Sequence, residues 1–223
     1  MATLKKATKQ AKKITASEII SIYMDTVLQK NEVPKNVFIF CKEYQISETD
    51  FYTFYSSFDA LQKDIWVKFF DNAITSLHAD QAYESYSQTD KLLALYFTLF
   101  EILTLNRSYV VFTLKENKEG LKNLKQLTQL RKDFKTYITK LMENNTENKN
   151  EKIQKITKPV FSEGAWVQFL FLLKFWLDDT SKGFEKTDIM IEKSVKATTD
   201  IIDTKALESL FDLGKFIWKE KFN

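Results

Sequence analysis

The stretch Ile46-Ser47-Glu48-Thr49-Asp50-Phe51-Tyr52-Thr53-Phe54-Tyr55-Ser56-Ser57-Phe58-Asp59-Ala60-Leu61 decides the fold. Ser47 carries the short oxygen-bearing side chain that caps a helix N-terminus, and a short helix is expected from it through Tyr55. Phe51, Phe54 and Tyr55 are expected to bury against neighbouring helices, leaving Tyr52 to face outward or to pack. Ser57 or Phe58 then opens a long helix to about His78. Upstream, Ile19, Ile20, Tyr23, Met24, Val27 and Leu28 recur at helical spacing, which predicts a helix with one buried face. Pro34 suits the first turn of a second short helix, because the donor it lacks is unpaired there in any case. Val37, Phe38, Phe40 and Cys41 continue that helix. Three helices in this order make a trihelical head.

Downstream the pattern stays helical. Gln81 to Asp90 is a polar break. Lys91 to Leu105 is apolar on nearly every side, as a buried central helix is. Leu121, Leu124, Leu127, Leu130, Phe134, Tyr137, Ile138, Leu141 and Met142 predict one long amphipathic helix with a basic outer face. Such a face is either solvated or a partner surface. Glu143 to Lys158 is Asn- and Lys-rich without apolar period and reads as a loop ending at Pro159. Gly164 to Leu177 is a very hydrophobic helix, with Gly183 as a stop signal. Ile189 to Ile202 and Ala206 to Phe222 supply two more. The sum is nine or ten helices and no convincing strand.

Composition agrees. Only four Gly and two Pro occur in 223 residues, few for sheet turns or phosphate-cradling loops. Nineteen Phe, nine Tyr and four Trp imply bulky packing or a roomy apolar pocket. A net charge of +3 is too small to imply nucleic acid globally, so any basic footprint must be local. Lys5, Lys6, Lys9, Lys12 and Lys13 form such a footprint, a solvated arm or one that touches phosphates. Cys41 is the only cysteine, so no internal disulfide forms and a reducing, cytoplasmic compartment fits. The runs Leu92–Phe100 and Trp166–Trp176 fall short of the ~20 residues that span a bilayer, so no transmembrane segment is expected.

Ile19 to Leu61 resembles the DNA-binding region of the tetracycline-repressor (TetR) family. Ser47, Tyr52, the pair Phe54-Tyr55 and Leu61 match that family's third helix in type and spacing. The resemblance implies an all-α, TetR-like fold: residues 1–61 as a Lys-rich arm and helix-turn-helix region, residues 62–223 as a helical ligand-binding and dimerisation domain. It implies Lys35, Lys42, Ser47, Thr49, Tyr52 and Thr53 as DNA-binding residues, with the third helix in the major groove. The departures are local. Glu48, Thr49 and Asp50 stand where many members have Lys, Gly and Thr or Ala; Gln45 replaces the turn glycine, and Phe58 a lysine. Between Val33 and Leu61, Lys35 and Lys42 oppose Glu43, Glu48, Asp50 and Asp59, a net charge of −2.

The segment from Trp166 to Asp188 resembles the family's penultimate-helix step. It implies a homodimer, with Val160–Leu177 and Ala206–Phe222 as candidate interface helices. An apolar ligand pocket is expected among Phe97, Phe100, Leu103, Phe112, Leu130, Phe134, Phe169 and Trp176, residues that serve equally as plain core. His78 is the sole histidine, and Asp178-Asp179 reads as a helix-end acidic pair rather than a catalytic dyad. With no Walker, Rossmann or nucleophile-elbow motif, no enzyme, cofactor or metal is expected. Three functions stay open. One is a dimeric, ligand-responsive transcriptional regulator. Another is a lipid- or isoprenoid-binding accessory protein, similar to those of quinone biosynthesis, that has lost DNA binding. The third is a structural dimer that scaffolds another protein.

Overall fold

The computed structural model describes residues 14–116, 120–143 and 151–203. Among them are nine α-helices, short 3-10 and π segments, and no strand. The chain divides into two compact units. The first comprises residues 1–65 and 108–126, the second residues 66–107 and 127–223.

In the first unit, α1 (Ala16–Lys30) begins at a capping box. The Thr15 hydroxyl oxygen accepts from the Glu18 amide at 3.2 Å, and the Glu18 carboxylate accepts from the Thr15 amide at 2.8 Å. The helix buries Ile19, Tyr23, Thr26 and Val27. The second helix, α2 (Val37–Glu43), starts later than its proline suggested. Asn36 is its cap, accepting from the Ile39 amide at 2.8 Å, and Pro34 lies in the preceding loop. A side-chain acceptor satisfies an orphan amide that a proline can only do without.

The link to α3 (Glu48–Phe54) is tight. The Ile46 amide donates to the Cys41 carbonyl at 2.9 Å, and Gln45 takes φ 55°. This is a Schellman-type helix end, and Gln45 holds the left-handed conformation that glycine would adopt without strain. Phe40 lies 6.2 Å from Tyr23, 6.2 Å from Phe51 and 5.6 Å from Phe58, ring centre to ring centre. Phe58 also meets Tyr23 at 5.4 Å and Phe51 at 5.6 Å. Each such pair adds about 0.5–1.5 kcal/mol beyond area burial. The departure at Phe58 is therefore structural: that half-buried ring packs against the aromatic cluster of the head. Phe54, expected inside, is exposed. Phe51 and Tyr55 share a face four residues apart, and Phe54 is turned about 100° from Tyr55.

Helix α4 (Phe58–Ala79) begins in the first unit and continues into the second. There α5 (Gln88–Leu105) buries Leu92, Leu95, Tyr96, Leu99, Phe100 and Leu103, as its all-round apolarity required. The short α6 (Arg107–Val111) leads into a π-helical turn, Phe112–Glu116. The long amphipathic stripe expected from Leu121 is split between a 3-10 segment (Gly120–Leu127) and α7 (Thr128–Glu143). Leu121, Leu124 and Leu127 are three residues apart, the 3-10 period; from Leu130 the spacing becomes α-helical.

Helix α8 runs from Glu151 to Asp178, so the loop expected up to Lys158 is helical from Glu151. Glu, Lys, Gln and Ile there are acceptable helix formers, and Pro159 forgoes only one ladder bond inside the helix. This continuity also changes the membrane reading. Pro159–Asp178 forms 20 helical residues, long and apolar enough by length and composition to cross a membrane. Its buried side (Ala165, Trp166, Phe169, Leu172, Leu173 and Trp176) is built into the core of the second unit, as in a soluble protein's central helix. The last described helix is α9 (Glu185–Asp203). The lysine arm through Lys13 and the Ala206–Phe222 segment lie outside the described residues.

Candidate functional site

The head presents its candidate residues as the trihelical reading expects. The Ser47 hydroxyl oxygen caps α3, accepting from the Thr49 amide at 3.2 Å. Thr49, Tyr52 and Thr53 are exposed, Tyr52 by 51%. Tyr52 is thus an outward ring, touching Phe51 edge-on from outside. Beneath them Tyr55 is buried, its hydroxyl donating to the Asp64 carboxylate at 2.8 Å, which fixes the end of α3 to α4. Burial, together with that carboxylate, holds the Tyr55 phenol neutral far above its ordinary range. Gln62 similarly donates to the Tyr23 hydroxyl oxygen at 2.7 Å; burial pushes that phenol to about 12.

Charge on the head is less suited to DNA. Lys35 is exposed in the loop before α2. Lys42 is exposed on α2, its ammonium 5.8 Å from the Phe38 ring centre. Lys30 is paired with Glu43, which raises the lysine's proton affinity. Glu48 and Asp50 occupy the first turn of α3, where they suit the helix dipole but would oppose phosphates. Phe38 (57% exposed) and Ile39 add apolar surface on α2.

In the second unit, most of the expected pocket residues form one packed cluster. Phe100 lies 6.0 Å from both Phe169 and Trp176. Phe134 lies 5.6 Å from Phe169 and 5.7 Å from Trp166. Leu103 and Leu130 are also buried and Phe97 is half-buried, whereas Phe112 is buried in the first unit. Polar groups thread this core: the Tyr96 hydroxyl donates to the Ala165 carbonyl at 2.8 Å, and Gln168 donates to the Ser194 hydroxyl oxygen at 3.0 Å.

Residues 91–217 match the family model for the tetracyclin repressor-like C-terminal domain, more than half of the chain. The chain belongs to this TetR-like family. Its fold is similar to a solved putative TetR-family transcriptional regulator from Syntrophomonas wolfei str. Goettingen, with a TM-score of 0.61 and 12% identity. That match covers 81% of this chain and 92% of the other. No curated protein matches the sequence.

Two further features belong to this TetR-like body, the first missed in the sequence and the second a face of the Val160–Leu177 helix offered there as an interface. The first is a corner between α8 and α9. The Arg107 guanidinium lies between Trp176 and Phe184, 4.3 and 4.4 Å from their ring centres. It donates to the Trp176 and Leu177 carbonyls at 3.1 and 3.3 Å, closing the C-terminus of α8. Beside it Asp179 accepts from the Ser181 and Thr187 amides at 2.8 and 3.0 Å and from both hydroxyls at 2.6 Å. Burial alone would raise its pKa; the four hydrogen bonds prevail and hold the carboxyl well below the usual range. Asp178, the last residue of α8, pairs with Lys174. The second feature is an exposed row on α8, Val160, Gly164, Val167 and Phe171, at helical spacing on one side. Among the described residues, no three His, Cys, Asp or Glu side chains gather as a metal site.

Proposed function

We propose that this TetR-like chain is a dimeric DNA-binding regulator. Residues 1–61 serve as its DNA-binding part and residues 62–223 as its ligand-binding and dimerisation part. The observation that carries the reading is the intact head: a capped α3 with Thr49, Tyr52 and Thr53 on its open side, held by Phe51 and Tyr55 beneath. In that arrangement the Thr49 hydroxyl and the Tyr52 phenol meet phosphate oxygens, Thr53 stands beside them with its hydroxyl donated to the Thr49 carbonyl, and Lys35 and Lys42 add the positive charge. Glu48 and Asp50 limit affinity, or accept from cytosine amino groups. The α8 row of Val160, Gly164, Val167 and Phe171 is the surface offered to a second copy. A twofold axis would set it against itself, with Gly164 allowing close approach. An apolar ligand acts by binding one spacing of the two heads better than another. To enter the aromatic cluster of Phe100, Phe134, Phe169 and Trp176 it has to part those rings.

Mobility-shift titration against DNA upstream of the chain's own gene is the test. A complex that weakens with salt and loses affinity in Tyr52→Ala supports the reading; no shift at low salt overturns it.

The acidic start of α3 favours a second reading, a TetR-like accessory protein that binds a lipid or isoprenoid and no longer reads DNA. Native mass spectrometry of protein purified from cells separates the two. A retained lipid with no DNA shift supports the second, and an empty protein that shifts DNA rejects it.

A further inference from the structure

A basic groove of about 800 Å³ runs along the outer side of α7 against α8, away from the aromatic cluster. Arg131, Lys132, Lys135 and Lys140 line it, and Glu163 of α8 is the single carboxylate among its described lining residues. Arg131 and Lys135 sit one turn apart on α7, and Lys132 and Lys140 lie further round, so the cations spread over a broad side of the helix. From Arg131 to Lys140 the cations extend for about 13 Å along the helix axis. Glu163 accepts from Arg131 at 2.8 Å and also from Lys135; these two hydrogen bonds hold its carboxyl below the ordinary range. Lys132 and Lys140 have no carboxylate partner among the described residues. Glu163 therefore organises part of the groove, while its described lining residues carry a charge of +3, four cations against one acid.

The lining narrows the chemistry of an occupant. Among the described residues it consists of cations, that carboxylate and three threonines, with no aromatic or aliphatic residue among them. Thr136 and Thr139 donate their hydroxyl protons to the Lys132 and Lys135 carbonyls, so their oxygens offer no free donor. The charged groups the lining offers an anion are the guanidinium and the ammonium groups. A guanidinium fork beside mobile ammonium points suits phosphate oxygens. One phosphate would reach only part of this spread, whereas linked phosphates match its length.

We propose that the α7–α8 groove binds a compound bearing several phosphates. Lys132 and Lys140 supply the open charge, and Arg131 and Lys135 are shared between the ligand and Glu163. In the empty groove Glu163 holds these two cations in place; in the occupied one it competes with the anion. The site is separate from the DNA reading, and either can fail alone.

The test is calorimetric titration of the full chain with inorganic triphosphate at low ionic strength. One saturable site per chain is expected. The double substitution Lys132→Glu and Lys140→Glu should weaken it about tenfold or more. Glu163→Gln should tighten it, because it deletes the competitor and keeps every cation. Lys196→Glu, an exposed lysine on α9, should leave it unchanged. Circular dichroism of each variant checks the fold, and Lys132→Gln alone replaces the double variant if helicity falls. Co-sedimentation with phosphatidic acid vesicles tells a lipid headgroup from a free phosphate compound. Absence of saturable binding overturns the proposal, as does equal weakening by Lys196→Glu or weaker binding in Glu163→Gln. Polyglutamate that binds through Lys132 and Lys140 where triphosphate does not would overturn it as well.

Discussion

The tip of the head and the outer face of α7 carry opposite charge, and the wrong way round for a simple account of DNA binding. On the head, Ser47 caps α3 and Thr49, Tyr52 and Thr53 stand on its exposed side, while Glu48 and Asp50 start that helix. On α7 the cations spread over a broad side with one acid among them, on a helix that no resemblance assigned to nucleic acid. The contrast separates two kinds of information. Buried residues set the architecture and tolerate little change, whereas exposed residues set what the architecture touches and can drift at almost no cost in stability.

The strongest way to break the comparison is to remove one partner. Phe51→Ala takes a fully buried ring from the head and should cost about 3–5 kcal/mol. Denaturant titration should show the loss, DNA shifting should vanish, and triphosphate binding at α7 should survive. If both activities disappear together, the two surfaces are not independent.

Next in size is Asp179→Ala, which deletes four hydrogen bonds at the α8–α9 corner and should cost about 2 kcal/mol or more. Because the folded state holds this carboxyl below its ordinary pKa near 4, its contribution is present above that pH. It is lost as pH falls further, through the folded value. Thermal melts of Asp179→Asn between pH 2 and 7, about the range set by that linkage, should show a shallower acid loss than the parent chain.

A smaller effect sharpens the charge contrast itself. Replacing both Glu48 and Asp50 by Gln and Asn removes two carboxylates from the head while keeping its shape. DNA affinity should rise roughly tenfold, about 1.4 kcal/mol, with the gain shrinking as salt increases. An unchanged affinity would mean that α3 does not face DNA. The smallest expected change is Gln45→Gly. It relieves a left-handed residue worth about 1–2 kcal/mol and gives part of that back as chain entropy. A net gain below about 1 kcal/mol should appear as a raised unfolding midpoint with an unchanged denaturant slope.

The head was legible in sequence because its signals are local. Ser47 caps within two residues, and Phe51 with Tyr55 marks one helix face within a single turn. Phe54 misled because aromatic character says nothing about which side of a short helix a residue occupies. Phe58 read as a lost lysine, and only its three ring partners show that this half-buried side chain packs against the head's aromatic cluster. Pro159 suggested a boundary inside what is a continuous helix, since composition alone does not tell a tolerated proline from a terminal one. In the candidate sites, the basic face of α7 was visible as a run of Lys and Arg. Its groove was not, because Glu163 lies 28 and 32 residues beyond its partners. The Arg107 clamp was hidden for the same reason, depending on Trp176 and Phe184 far along the chain.

Cys41 turns the opening of the head into something that can be timed. It is the chain's only thiol, and it lies at 1% exposure inside α2, its proton affinity raised by burial and by Glu48. A maleimide or disulfide reagent can reach the sulfur only when the head opens, so the modification rate clocks that opening and is blind to breathing elsewhere. DNA that grips the head should slow the clock, while an occupant of the second unit should leave it running at the same speed.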